Sequence, residues 1–111
     1  MSTLREYLGQ KREALLARRA KAQSEEPKPH TLAAQVRAEG RSGVRRIRIR
    51  EHQILSDAGP DFAGYNFGPS SPELQLGVLG SCLTHIFLIQ AADRRVPVSY
   101  THLTLPTNRE V

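Results

Sequence analysis

The chain has one cysteine, Cys82, and a histidine three residues on, His85. A free thiol has a pKa of about 8.5 and is mostly protonated at neutral pH, so a reactive cysteine needs a cation close by. The helix dipole acts mainly within the first turn and does not reach a residue as far in as Cys82. The cation must therefore come from elsewhere. The arginine-bearing segment Arg41 to Arg50 is the obvious supplier, and His85, on the same helical face, is the local one. Against this stands the common case of a buried free cysteine serving as core packing. Residue chemistry alone favours the packing role. Cys82-x-x-His85 could hold two metal ligands, but no second pair stands near it, so no metal and no cofactor are expected. His30 and His52 are isolated and read as surface residues. No Gly-rich phosphate loop and no Ser/His/Asp arrangement is present.

The elements that would position these residues follow from the pattern. Residues 3–22 read as a helix opened by a Thr3/Glu6 capping box, with Leu4, Tyr7, Leu8, Ala14 and Leu15 on an apolar stripe. Its other face carries Lys11, Arg12, Arg18, Arg19 and Lys21, the solvated side. The stripe needs a partner surface. A polar linker with two prolines follows to His30. Thr31 to Ala38 reads as extended, Glu39 to Gly43 as a turn, and Val44 to Arg50 as a strand, with Arg46, Arg48 and Arg50 on one face and Ile47 and Ile49 on the other. His52 to Ser56 continues that strand or begins a third. Residues 57–71 are a Gly/Pro-rich loop carrying Phe62, Tyr65 and Phe67, long enough to suggest a functional role.

The strongest helix begins with Ser71 as N-cap, Pro72 at the first helical position and Glu73 at the positive end of the dipole. Leu74, Leu76, Val78, Leu79, Leu83, Ile86, Phe87, Leu88 and Ile89 surround most of its circumference, as in a buried central helix. The rest of the chain is too short to cover it, so a partner subunit does so or the chain is incomplete. Gly80, Ser81, Thr84, His85 and Gln90 interrupt the apolar run Val78 to Ala92, which reads as too short and too polar to span a bilayer. Residues 99–111, SYTHLTLPTNREV, read as a non-native tail resembling translated adapter sequence. The domain reading is 1–29 N-terminal helix and linker, 30–98 partial domain, 99–111 tail.

The chain has 111 residues and a net charge of +5. The charge is uneven: residues 1–50 hold thirteen Lys/Arg against five Asp/Glu, and residues 51–111 hold three against six. Such asymmetry raises the possibility of an anionic partner such as nucleic acid, but no aromatics interleave with the basic residues as single-strand binding would need. The start of the chain lacks a signal peptide's apolar core, and one cysteine permits no intrachain disulfide. A reducing cytoplasm is the expected compartment.

The stretch Phe67-Gly-Pro-Ser-Ser-Pro-Glu-Leu-Gln-Leu-Gly-Val-Leu-Gly-Ser-Cys-Leu-Thr84 resembles the signature of the OsmC/Ohr superfamily: a Gly-rich loop, a Pro-Glu helix start, an apolar turn, then a small residue and cysteine. Gly40-Arg41-Ser42-Gly43 resembles the Gly-Arg-Asp-Gly turn of the organic hydroperoxide resistance branch. The resemblance covers roughly residues 30–97. It implies an α+β, OsmC-like fold whose second half is missing here, and an obligate homodimer in which two subunits interlock through their central helices. It further implies a thiol peroxidase in which Cys82 attacks an organic hydroperoxide, Arg41 holds the thiolate, and Glu73 orients that arginine. The loop around Phe62, Tyr65 and Phe67 would admit an apolar substrate, and a thiol reductant would restore the cysteine. By itself the truncated chain would be inactive. The chain departs from the peroxidase pattern in three ways. Glu73 lies nine residues before Cys82, one fewer than in the peroxidase branches. A resolving cysteine from a later helix is absent. Arg45 and Arg46 compete with Arg41 for the thiolate. The alternative function is a non-enzymatic OsmC-like or basic module that contacts an anionic partner.

Overall fold

The computed structural model describes residues 3–98 and 102–107. The architecture is α+β. In chain order it runs α1 (Leu4–Ser24), β1 (Gln35–Ala38), β2 (Arg45–Ile49), β3 (His52–Ser56), a short 3-10 turn (Pro60–Phe62) and α2 (Ser71–Asp93). Two compact units divide the chain: Met1–Pro29 with Leu79–Val111, and His30–Val78.

In the first unit α1 begins as the sequence predicts. The Thr3 side chain accepts from the Glu6 backbone N–H while Glu6 reaches back to the Thr3 N–H, which satisfies two of the helix's free donors. Leu8 is buried with Ala91 and Ala92 of α2, and Leu4, Leu88 and Val98 pack around them. The basic side of α1 is not wholly solvated, contrary to the sequence expectation. Arg19 makes a two-pronged pair with the Asp93 carboxylate at 3.0 Å on each arm, and Arg12 donates to the Asp93 carbonyl at 2.9 Å. These arginines neutralise the C-terminal end of α2, where carbonyls lack helical partners. Farther along, Leu105 lies over Gly80, where an added Cβ would meet its Cδ1 at 3.3 Å. Of the expected non-native tail, residues 99–101 and 108–111 lie outside the described residues.

The second unit is a three-stranded antiparallel meander in the order β1-β2-β3. Val36 pairs with Ile47 and Ile47 with Ile54, while Gln35 pairs with Arg48 and Arg37 with Arg46. Alternation therefore separates an apolar face (Val36, Ile47, Ile49, Ile54) from an arginine face (Arg37, Arg46, Arg48). His52 opens a separate third strand. Arg50 belongs to the two-residue hairpin turn, not to β2: it carries a left-handed φ of 53°, which ends the alternation one residue earlier than expected. After β3 the chain enters the 57–70 loop around Asp57. Burial alone would raise this carboxyl's pKa. The N–H groups of Tyr65 (2.9 Å), Ala58 (2.7 Å) and Phe67 (3.3 Å), with Arg45 close by, overcome that and hold it below the usual aspartate value. Ser56, also buried, donates to the Pro69 carbonyl at 2.8 Å. The loop is tight enough that a side chain at Gly64 would collide with the Ala58 backbone.

Two features of α2 correct the sequence reading. Its N-cap is Ser70, one residue before the expected Ser71: the Ser70 hydroxyl accepts from the Glu73 N–H, and the Leu74 N–H closes on the Ser70 carbonyl at 2.9 Å. And α2 is not a buried helix in the single chain, since only Ala91 and Ala92 are fully covered. Its 23 residues are long and apolar enough to cross a membrane by length and composition alone, a test that the core helix of a soluble protein also passes.

Candidate functional site

Cys82 lies in the fourth turn of α2 as a free, exposed thiol, and among the described residues it makes no hydrogen bond. The helix places His85 on the same side, one turn toward the C-terminus. There the first unit contributes a group that the sequence reading assigned to solvent. Lys11, from α1, puts its Nζ 2.7 Å from His85 Nε2. A lysine ammonium has no acceptor, so Lys11 donates and Nε2 is the unprotonated ring nitrogen. Lys11 therefore engages the residue one helical turn from Cys82, not the thiol itself. The signal that could have found it is the position of Lys11 beside the apolar stripe, one turn beyond Leu8, which binds α1 to α2.

Along the same stripe, Ile89 joins Lys11, Ala14, Leu15 and Arg18 around a depression of about 170 Å³. Around Cys82 on α2, large apolar side chains stand open: Val78 and Leu79 before it are 61% and 51% exposed, and Leu83 and Ile86 after it 43% and 55%. The thiol thus lies on a greasy surface with a polar, cationic lower edge.

Glu73 occupies the other end of the helix and has a different task. Its Oε1 accepts from the Ser70 backbone N–H at 3.0 Å and from the Ser70 hydroxyl at 2.8 Å, and these bonds hold its carboxyl below the usual glutamate range. This is a capping box. Nine residues of regular helix separate Glu73 from Cys82, about 180° around the axis and about 13.5 Å along it. Glu73 and Cys82 therefore leave α2 on opposite sides.

Arg41 sits in the β1–β2 connection. The Glu39 N–H donates to the Val44 carbonyl at 2.9 Å, and the Ser42 hydroxyl donates to the Glu39 carbonyl at 2.7 Å. Gly40 takes a left-handed φ of 56° to begin the turn. Arg41 is exposed, and among the described residues it makes no hydrogen bond or ion pair, including none with Glu73. The two competing arginines are both occupied. Arg45 donates to the Gly43 carbonyl at 2.6 Å and to Ser56 Oγ at 3.2 Å, and Arg46 pairs with Glu39 at 2.5 Å. Of the three, Arg41 alone keeps its guanidinium uncommitted. Among the described residues no cluster of three or more metal-ligating side chains forms.

The aromatic loop residues Phe62, Tyr65 and Phe67 are exposed, with Tyr65 and Phe67 stacked at 5.5 Å between ring centres. Asp57 fixes this pair from below through the Tyr65 and Phe67 amides. Nothing in sequence periodicity singles out Asp57, because its role depends on amides eight and ten residues away. No family model, curated protein or solved structure matches this chain.

Proposed function

We propose that this chain is the N-terminal part of an OsmC/Ohr-type subunit whose full-length form reduces organic hydroperoxides through Cys82. The observation that carries the reading is the free, exposed Cys82 thiol on an apolar helix, one turn from a histidine that engages Lys11. In the step proposed, the Cys82 thiolate attacks the hydroperoxide oxygen distal to the alkyl group. An S–O bond forms and the O–O bond breaks. Sulfur is oxidised by two electrons to a sulfenic acid, while the peroxide is reduced to an alkoxide that takes up a proton and leaves as the alcohol. An external thiol then condenses with the sulfenic acid, releasing water and forming a mixed disulfide. A second thiol exchanges with that disulfide and returns Cys82.

The open side chains of Val78, Leu79, Leu83 and Ile86 favour an alkyl or aryl hydroperoxide over hydrogen peroxide, because burying the organic group removes apolar surface from water. The same exposed helix supports an obligate homodimer, since a second α2 would cover what one chain leaves in water. Arg41 is the proposed thiolate partner that the resemblance implies, and Lys11 is a second candidate cation. Glu73 acts as the helix cap in this reading. The direct experiment is hydroperoxide consumption by the full-length protein, wild type against Cys82→Ser. The reading requires activity to fall to background, and unchanged consumption would end it.

A further inference from the structure

The arginine face of the sheet is charged beyond what the chain itself neutralises. Gln35, Arg37, Glu39, Arg46 and Arg48 line a depression of about 360 Å³. Arg37 and Arg46 stand directly opposite each other across the β1–β2 ladder, and Arg48 follows on the same face of β2. Like charges directly opposite in a sheet are destabilising. Arg46 is relieved: its Nε donates to Glu39 and its NH1 to Gln53 Oε1 at 2.6 Å. Arg37 and Arg48 have no hydrogen bond or ion pair among the described residues. Three guanidinium groups thus face the single Glu39 carboxylate, which Arg46 already occupies, an excess of two positive charges.

We infer that this depression is a binding site for a phosphate dianion of the phosphomonoester class, gripped by Arg37 and Arg48 and steadied by Arg46. The excess of two charges matches a phosphomonoester, which carries nearly two negative charges at neutral pH, better than a phosphodiester, which carries one. Guanidinium forks bind phosphate oxygens in pairs, and Arg37 and Arg48 are the two forks left free. Gln35 and Gln53, opposite and beside Arg48, add amide donors at the edge. The Tyr65–Phe67 stack belongs to the loop after β3 and is no part of this face, so base stacking adds nothing here. The site is independent of Cys82 and stands whether or not the thiol chemistry does.

Titration calorimetry of the full chain with inorganic phosphate, at fixed ionic strength, tests the inference. Saturable binding is expected, weakened about tenfold in each of Arg37→Gln and Arg48→Gln and unchanged in Arg50→Gln, whose side chain lies in the hairpin turn. Arg37→Lys and Arg48→Lys keep the charge without the fork and should fall between wild type and the Gln variants, which guards against loss of folding as the cause. Dimethyl phosphate should bind more weakly than inorganic phosphate. Absence of saturable phosphate binding, or binding indifferent to both arginines, overturns the proposal. An oligothymidylate that binds through the same arginines while inorganic phosphate does not would overturn it in favour of a nucleic-acid backbone.

Discussion

Glu73 closes on Ser70: one carboxylate oxygen accepts from both the backbone N–H and the hydroxyl of the residue that caps α2. That pairing sets what each residue is for. Ser70→Ala should cost about 1 kcal/mol of stability, measured by chemical denaturation. Glu73→Gln can still accept from Ser70, so it should cost less and leave hydroperoxide reduction by the full-length protein within about twofold. A loss of activity larger than its loss of stability would instead return Glu73 to the arginine-orienting role that the family resemblance implies.

The α1–α2 contact rests on Leu8 more than on its ion pairs. Leu8→Ala removes the largest side chain of the small core it forms with Ala91 and Ala92 and should cost about 2–5 kcal/mol. Arg19→Ala, at an exposed and solvent-screened pair, should cost clearly less than Leu8→Ala. Thermal unfolding followed by circular dichroism ranks the two, and the reverse order would show that charge, not burial, docks α1.

Asp57 makes the 57–70 loop sensitive to acid. Its folded pKa lies below the unfolded value, so its contribution is fully present above about pH 4 and is lost as pH falls through the folded pKa. Protonation weakens the acceptors of the Tyr65 and Phe67 amides, and the aromatic stack should loosen. Hydrogen exchange at these two amides should accelerate as pH falls below about 4, beyond the intrinsic pH dependence of exchange. Asp57→Asn should abolish that excess and destabilise the loop at neutral pH. A wild-type profile identical to that of Asp57→Asn would contradict this account.

Much of the fold could be read from the residues. The Thr3/Glu6 box, the alternation of Arg46, Ile47, Arg48 and Ile49, and the Gly40 turn each depend on contacts within a few positions. The parts that were not legible depend on distance along the chain. Lys11 reaches His85 across seventy-four positions, and Asp57 gathers amides eight and ten residues ahead. The cap shifted from Ser71 to Ser70 because two serines are equivalent to propensity, and only the Glu73 geometry chooses between them. Exposure of α2 was half legible: its apolar circumference demanded cover, and the shortage of chain to supply it was visible in the length.

The thiolate partner is open to direct comparison. In the full-length protein, alkylation of Cys82 by iodoacetamide should remain fast below pH 8. Arg41→Ala should slow it and shift the thiol titration upward, because an opposite charge within about 4–6 Å favours the ionised form. Lys11→Gln should do the same to a smaller extent. A larger effect from Lys11 than from Arg41 would transfer the thiolate role to α1, and no effect from either would leave Cys82 as packing.

The central claim is that Cys82 is a peroxidatic thiol, and one measurement bears on it most directly. Full-length protein is mixed with cumene hydroperoxide and a small dithiol reductant, and loss of hydroperoxide is followed over time alongside Cys82→Ser. The account requires catalytic turnover in the wild type, trapping of a sulfenic acid at Cys82 when the dithiol is withheld, and only background loss in the variant. Equal consumption by both proteins, or a wild type that never forms the sulfenic acid, would contradict it.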